Sequence, residues 1–189
     1  MGIGVPIGIV VWGSTLIAPR PGEQPPPPSL EPAPTDAVAR DPDGVWVLDP
    51  ERSWVGYRIE EYLPRLGDHF EVAGRTPAVT GRVVIDGPVL EDALVQADLR
   101  ELESDIERRD RAIQRRFLES LEHPTARFEV PEPVTLLDVP DPGAPTAVPV
   151  PGELTFRDRT QGVQPLLDVR WDGDELRVVT RPCPVPYLQ

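Results

Sequence analysis

The side chains that most often carry nucleophilic or metal chemistry are sparse in this sequence. It contains one cysteine, Cys183, and two histidines, His69 and His123, which lie far apart and form no CxxC or helical pair. A structural zinc site needs four ligands, commonly cysteines and histidines at short spacings. The sequence therefore predicts no metal site and no intramolecular disulfide. Cys183 is interpreted as an inert thiol, because no histidine stands near it in the chain.

Paired carboxylates would suit general acid–base catalysis if both faced one site. Glu60 and Glu61 are neighbours on a predicted strand, so their side chains point to opposite faces. Asp172 and Asp174 fall in a predicted turn. No residue is assigned a catalytic role, and the protein is predicted not to be an enzyme.

Arg109-Asp110 is a charged pair with two interpretations. One is recognition of a polar ligand head group. The other, which we favour, is a structural pair in which Arg109 contacts a carboxylate or carbonyl groups and holds a helix over one end of the fold.

The element that carries this pair is the clearest helix signal in the chain, Glu107–Glu122. Its apolar positions share one helical face, namely Ile106, Ile113, Phe117 and Leu121. Ser104 and Asp105 are predicted to cap the first turn, with Glu107 completing a capping box. Pro124 is predicted to stop the helix. We expect the apolar face to cover one end of the fold as a plug or portal.

From Val45 onward the rest of the chain alternates apolar and polar residues with period two, which is typical of half-buried strands. The clearest run is Ala93–Leu99. A later run, Val163–Trp171, is joined to Leu176–Val179 by the tight turn Asp172-Gly173. This pattern predicts a mainly β fold of some eight or nine strands with one helix between strands. Antiparallel strands in that number favour a sandwich or an up-and-down barrel.

Composition narrows the class of partner. The formal net charge is −13, and the 19 basic side chains are all arginine. Nucleic-acid binding needs a basic surface, so nucleic acid is excluded as a partner. Electrostatic attachment to an anionic membrane surface is excluded for the same reason.

The beginning of the chain predicts a membrane anchor. Residues 1–18 are uncharged and mostly apolar, and a helix of that length spans roughly 27 Å, close to the thickness of a hydrocarbon core. A basic n-region and an A-x-A cleavage motif are missing, which favours an uncleaved transmembrane anchor over a cleaved signal-like helix. Residues 19–43 hold nine prolines and no aromatic residue, as in an extended spacer. We therefore expect a single-pass anchor, a Pro-rich linker, and a β domain over residues 44–189 on the extracytoplasmic side of the cell membrane.

The inward-facing side chains of the predicted barrel are apolar. An eight-stranded barrel is wide enough either to fill with side chains or to hold one small ligand, and the periodicity leaves both interpretations open. In a hollow interior, burial of apolar ligand surface would drive binding, at about 25 cal/mol per Å². The predicted lining consists of Val55, Tyr57, Val83, Ile85, Val95, Ala97, Leu99, Phe117, Phe128, Val130, Leu154, Phe156, Leu167, Val169 and Trp171.

Several spaced blocks resemble the YceI-like domain. Residues 49–57, DPERSWVGY, are similar to its D-x-x-x-S-x-V-x-F/Y opening, and residues 74–81, GRTPAVTG, resemble the G-R-T-P-x-V-x-G segment of actinobacterial members. Residues 104–128 resemble its S-x-x…R-D…F-L…P-T-A-x-F signature, and residues 152–156, GELTF, resemble its G-x-L-T-x strand. The resemblance covers roughly residues 45–180.

This resemblance implies an extended, lipocalin-like antiparallel β-barrel. It implies an elongated interior that binds a long apolar chain, a polyisoprenoid such as a quinone-type lipid, and it favours the hollow interior. It also implies a periplasmic, secreted or membrane-anchored location, with no catalytic residues and no cofactor other than a bound lipid.

Two segments depart from the family pattern. After the strand at Leu176–Thr180 the family continues with a D-[FY]-G-I block and a closing strand, whereas this chain runs through the Pro-rich segment Arg181–Gln189. We therefore expect an incomplete barrel without its last strand, or a truncated or frameshifted sequence. In addition, Arg157–Thr160 replaces the family's His-Gly-Val-Thr turn.

The predicted function is that of an extracytoplasmic lipid-binding protein that holds a polyisoprenoid for transport, storage or sensing. One alternative is an extracytoplasmic enzyme acting on a polyprenyl or lipid substrate, which would need an inward-facing acid, base or metal site. Another is a truncated module that is non-functional or serves only for interaction.

Overall fold

A computed structural model of the chain describes residues 29–30, 42–63, 68–136, 144–171 and 175–183. The predicted anchor, most of the predicted linker and the Asp172-Gly173 turn lie outside these residues. In the part that is described, no helix has the length and apolar character needed to cross a membrane.

The fold is built from antiparallel strands with one short α-helix, so the predicted mainly β class is confirmed. The strands are β1 (Gly44–Val47), β2 (Val55–Leu63), β3 (Asp68–Thr76), β4 (Val79–Asp86), β5 (Val89–Asp98), β6 (Thr125–Val130), β7 (Val134–Thr135), β8 (Thr146–Pro149), β9 (Gly152–Phe156), β10 (Arg159–Val163), β11 (Leu166–Trp171) and β12 (Leu176–Thr180). A 3₁₀ turn, Leu99–Glu101, and the helix α1, Glu107–Ala112, lie between β5 and β6.

These strands form three sheets. The main sheet has seven strands, in the order β1-β4-β5-β6-β9-β10, with β7 also paired to β5. A three-stranded sheet has the order β12-β11-β8, and β2 and β3 form a two-stranded sheet. Within the described ranges, no run of hydrogen-bonded strands closes on itself into a barrel.

The strand β5 runs through the middle of the main sheet, where it pairs with β4, β6 and β7. Its alternation places Ala93 and Ala97 in the core, at 5% and 3% exposure, with Val95 half-buried on the same face. The predicted strand over Ala93–Leu99 is confirmed in position, although Leu99 already belongs to the following 3₁₀ turn.

The predicted single strand Val163–Trp171 is wrong, because the chain divides it into β10 and β11. The break falls at Gln164-Pro165. Proline has no N–H to donate to a ladder, which limits it to strand ends, edges and bulges. At this point the chain leaves the main sheet, to which β10 belongs, and enters the three-stranded sheet with β11.

The turn between β9 and β10 is short because Arg157 and Asp158 both adopt positive φ, 51° and 55°. Two consecutive residues of this kind match the right-handed twist of a hairpin, although Asn and Gly usually supply them. This conformation costs free energy in residues that carry a Cβ. Two side-chain contacts hold the turn: Arg157 Nη2 lies 2.6 Å from Glu119 Oε2, and His123 Nδ1 lies 2.8 Å from Asp158 Oδ2.

The predicted helix over Glu107–Glu122 is shorter than expected. After α1 the chain makes one π-helical turn, Ile113–Phe117, and it leaves the helical path where Glu119 adopts a positive φ of 48°. In the π turn the Leu118 N–H bonds to the Ile113 carbonyl, five residues back.

The π turn and the early end of the helix change which side chains face the core. Ile113 is buried as predicted, at 6% exposure, and its buried companion is Leu118 at 8%. Leu121 and Ile106 are 75% and 45% exposed, so their predicted place on the buried face is wrong.

The predicted capping box is also wrong. Ile106 occupies the N-cap and makes no side-chain cap bond. Ser104 lies just outside the helix instead, where its Oγ donates to Asp110 Oδ1 at 2.5 Å. The backbone N–H of Ser104 donates to the same carboxylate oxygen at 3.0 Å. Asp110 therefore ties the first turn of the helix to the preceding loop.

Candidate functional site

The larger of two apolar cavities, here called the larger chamber, lies between the main sheet and the three-stranded sheet. Its volume is about 140 Å³. The main sheet contributes side chains such as Val83 and Ala93, and the three-stranded sheet contributes Val169, Trp171 and Val178. Trp171 is almost fully buried, at 3% exposure. Of the described lining residues, none is charged.

The second cavity, here called the smaller chamber, has a volume of about 40 Å³. It lies between the other end of the main sheet and the strand β2, which contributes Val55 and Tyr57. The segment between β5 and β6 supplies Leu99, Leu102 and Leu118. Each of these five side chains is buried. A short, irregular stretch of chain therefore forms part of the wall at this end of the interior.

Two residues line both chambers, Val95 of β5 and Phe128 of β6, and we call them the dividing pair. They are direct cross-strand partners, and Phe128 is in turn opposite Leu154 of β9. Side chains opposite one another on neighbouring strands lie close together on the same face of a sheet. The two spaces therefore adjoin along this ridge, the pair of neighbouring side chains on β5 and β6.

Small residues on either side of this ridge leave the space that forms the chambers. Ala93 and Ala97 stand two positions before and after Val95, so all three share one face of β5. Ala126 stands two positions before Phe128 on β6. Ala93 lines the larger chamber, whereas Ala97 and Ala126 line the smaller one. A methyl group at these positions cannot reach the opposite wall.

A polar contact lies at the outer end of the smaller chamber. Tyr57 is 7% exposed, and its hydroxyl is hydrogen-bonded to Ser104, which in turn donates to Asp110. Burial raises the pKa of the Tyr57 phenol, and the negative charge of Asp110 raises it further. Tyr57 is therefore a neutral wall residue whose hydroxyl is satisfied by Ser104, in the loop before the helix.

The Arg109-Asp110 pair has separate partners in the structure. Arg109 forms an ion pair with Asp105, with about a fifth of each side chain exposed. Asp110 accepts from Ser104, as described above. These contacts favour the structural interpretation over recognition of a head group, since both side chains hold the helix in place.

Most of the predicted lining residues come together around the chambers. Those at the larger chamber are Val83, Ile85, Val95, Phe128, Leu167, Val169 and Trp171. Those at the smaller chamber are Val55, Tyr57, Val95, Ala97, Leu99, Phe128, Leu154 and Phe156. Val130 is buried at 4% exposure but lines neither chamber, and the side chain of Phe117 lies outside the described part. The ligand-binding role of these residues stays a prediction.

Other lining residues were not predicted. Ala93 and Ala126 share a face with Val95 and Phe128, so the alternation of their strands contains the signal. Leu176 and Val178 alternate in the same way on β12. Val148, Val150, Leu102 and Leu118 lie in or beside a Pro-rich stretch and the irregular helical segment. Neither of those regions has a regular period that would mark an inner face.

Of the groups first considered for chemistry, His123 and Cys183 have described side chains, and they line neither chamber. In residues that the structure describes, no three His, Cys, Asp or Glu side chains come together where they could hold a metal ion. Cys183 is half-buried, and this burial raises the pKa of its thiol, which favours the unreactive protonated form.

Comparison with known proteins adds one finding. The family model of the YceI-like domain matches residues 46–181 of the chain. This region holds all the lining residues of both chambers except Pro42. No curated protein matches the chain closely enough to serve as a named relative.

Proposed function

The chain belongs to the YceI-like domain family, and from this premise we propose that it is a lipid-binding protein. Its ligand is the apolar chain of a polyisoprenoid, such as a quinone-type lipid, held in the interior of the β domain. The protein carries, stores or senses this lipid.

The observation that supports the proposal best is the larger chamber. An apolar cavity of roughly 150 Å³ lined by Leu, Ile and Phe stays dry and binds benzene. The larger chamber is close to that size, at about 140 Å³, and its described lining carries one polar side chain, Thr180. An apolar chain that enters it gains about 25 cal/mol for each Å² removed from water. A water molecule in the chamber is not stabilised in this way, because the walls offer it few hydrogen-bond partners.

In this proposal the three sheets act together as one lipocalin-like enclosure. The larger chamber has walls from the main and three-stranded sheets, and the smaller chamber has walls from the main sheet and β2. The helical segment closes the smaller chamber through Leu102 and Leu118, and so takes the plug role expected of the predicted helix.

The proposal includes a location outside the cytoplasm. The apolar residues 1–18 would anchor the chain in the cell membrane, and the Pro-rich residues 19–43 would hold the domain away from the bilayer. An anchored domain could then exchange lipid with the membrane beside it. If this is correct, deleting residues 1–18 releases the protein from the membrane fraction, whereas continued membrane association of the deleted form would refute the anchor.

The direct test is to find the ligand. The domain is purified without detergent and extracted with organic solvent, and the extract is examined by mass spectrometry for isoprenoid lipids. The delipidated domain is then titrated with ubiquinone- and menaquinone-like lipids while tryptophan fluorescence is followed, since Trp171 lies in the chamber wall. We expect a copurified polyisoprenoid and saturable quenching that is lost in Trp171→Phe. Absence of both lipid and uptake would overturn the proposal.

A blocking variant ties binding to the chamber. Ala93→Phe places a ring inside the larger chamber and is expected to weaken binding more than tenfold, because the space for the ligand is filled. The matched control is Val45→Phe, which adds a ring on β1 at a side chain that is 66% exposed. If both variants bind as the wild type does, the ligand does not occupy the larger chamber.

A further inference from the structure

The two chambers adjoin at the ring of Phe128. Both spaces reach this residue and Val95, and among the described residues no other side chain lines both. Val95 is short and β-branched, so it projects little from the sheet. The phenyl ring of Phe128, at 8% exposure, is the larger part of the barrier.

The Phe128 ring packs against one position of the neighbouring strand, and we call this position its seat. A Cβ atom added to Gly152 of β9 would lie 2.6 Å from Cζ and 2.7 Å from Cε2 of Phe128. Real Cβ atoms do not approach other atoms so closely, so the ring rests directly on the backbone of Gly152. A glycine at this position lets the ring lie against the sheet.

The size of the larger chamber limits what it can hold. At about 140 Å³ it suits a group near the size of benzene, which is much shorter than a polyisoprenoid chain. A longer chain needs more space, and the adjoining space on the same face is the smaller chamber, with its further 40 Å³. The way between the two passes the Phe128 ring.

We propose that Phe128, seated on Gly152, sets how far an apolar chain penetrates the interior and so selects ligands by chain length. This inference rests on the proposed lipid-binding function. While the ring packs against Gly152, a ligand fills only the larger chamber, and a longer chain adds no binding free energy. Removing the ring joins the chambers and lets a longer chain reach the wall formed by Leu118 and Tyr57.

The test measures affinity against chain length. The delipidated domain is titrated with dimethylallyl alcohol, geraniol, farnesol and geranylgeraniol, with Trp171 fluorescence as the readout. Each methylene that becomes buried strengthens binding about fourfold, so wild-type affinity should rise from the shortest prenol and then level off at the ring. In Phe128→Ala the rise should continue to the longer prenols, with a gain of about tenfold or more for geranylgeraniol and little change for dimethylallyl alcohol.

Two further variants keep the test decisive. Val179→Ala removes a buried side chain that alternates on β12 with the lining residues Val178 and Thr180 and lines neither chamber, so its length profile should match the wild type. Gly152→Ala places a Cβ 2.6 Å from Phe128 Cζ and 2.6 Å from the Glu129 carbonyl oxygen, so it displaces the ring together with the neighbouring strand and should shift the plateau to a shorter prenol. If Phe128→Ala does not fold, Phe128→Leu, which retains an apolar side chain, replaces it.

The outcomes distinguish the proposed role of Phe128 from the proposed lipid-binding function. Prenol binding with the same length profile in wild type and Phe128 variants would overturn the role of Phe128 and leave lipid binding intact. No saturable binding of any prenol, in wild type or variants, would overturn the lipid-binding proposal as well.

Discussion

The larger and smaller chambers differ in what encloses them. The larger chamber lies between two sheets, and its described walls are mostly strand residues such as Val83 and Val169. The smaller chamber shares the main sheet but is sealed by residues outside the strands, among them Leu102 and Leu118. The first holds about 140 Å³ and the second about 40 Å³.

This difference follows from how each kind of wall packs. Two twisted sheets meet with their side chains pointing at one another, and alanine at a facing position leaves a gap that the backbones cannot close. An irregular segment has no fixed spacing and can settle until its side chains fill the space. We therefore expect the smaller chamber to behave as a packed core and the larger chamber to behave as a cavity that can accept a ligand or a larger side chain.

Truncating a leucine in each chamber should give the largest difference. Leu118→Ala removes a side chain that is 8% exposed and packed among Tyr57 and Ile113, so it should cost about 2–5 kcal/mol of unfolding free energy. Leu167→Ala, at the half-buried wall of the larger chamber, should cost less than about 2 kcal/mol, since part of its surface already faces empty space. Urea unfolding measures both. Equal losses would remove the distinction between the chambers.

The reverse experiment adds a ring to each chamber. Ala97→Phe overfills the smaller chamber and should destabilise the fold by about 1–3 kcal/mol. Ala93→Phe enters the larger chamber and should change stability by less than about 1 kcal/mol while it blocks ligand uptake. Both alanines lie on β5 and face the same way, so each is the other's control. A greater loss in Ala93→Phe would show that the larger space is not free.

A third prediction concerns the polar contacts that hold the seal of the smaller chamber. Asp110→Ala leaves the N–H and hydroxyl of Ser104 without their acceptor and should cost about 1–2 kcal/mol. Glu107→Ala, on the same helix, removes a carboxylate that is 85% exposed and 3.9 Å from Arg111, and it should change stability by less than about 0.5 kcal/mol. Thermal unfolding of both variants checks this. Similar midpoints would show that Asp110 does not hold the segment.

The smallest effect is expected on acidification, at the edge of the three-stranded sheet. Burial alone would raise the pKa of Glu175, but hydrogen bonds and charge from Arg177 and Arg52 hold this pKa below its ordinary value of 4.5. A carboxyl whose pKa is lowered on folding stabilises the fold above the unfolded-state pKa and loses that contribution as pH falls through the folded-state pKa. Stability should therefore decline below about pH 4.5.

The size of this decline is limited by solvent. Side-chain exposure is 32% at Glu175 and 46% at Arg52, so the contribution should stay below about 1 kcal/mol. Glu175→Gln removes it and serves as the control, because every other titrating group remains. A pH profile of unfolding that is identical in wild type and variant would contradict the prediction.

Individual residues show why some walls were predictable and others were not. Val95, Ala97 and Phe128 lie on regular strands, where period-two alternation is sufficient to identify the inner face. Leu118 closes the π turn and is buried, whereas Leu121 lies past Glu119, where the chain has already left the helix, and is exposed. A helical period of 3.6 residues cannot anticipate that change, because the turn forms where the packing of the segment requires it.

Residue types and short spacings were enough to identify the apolar inner faces of the strands, the membership of the family and the sparseness of reactive side chains. Two other features, the cavities and the position of the Phe128 ring, depend on packing in three dimensions. Ala93, Ala97 and Ala126 leave open space, and Phe128 rests on Gly152 between two chambers. The reason is that a cavity is the volume left between elements distant in the chain, and it depends on how far apart the packed backbones come to rest.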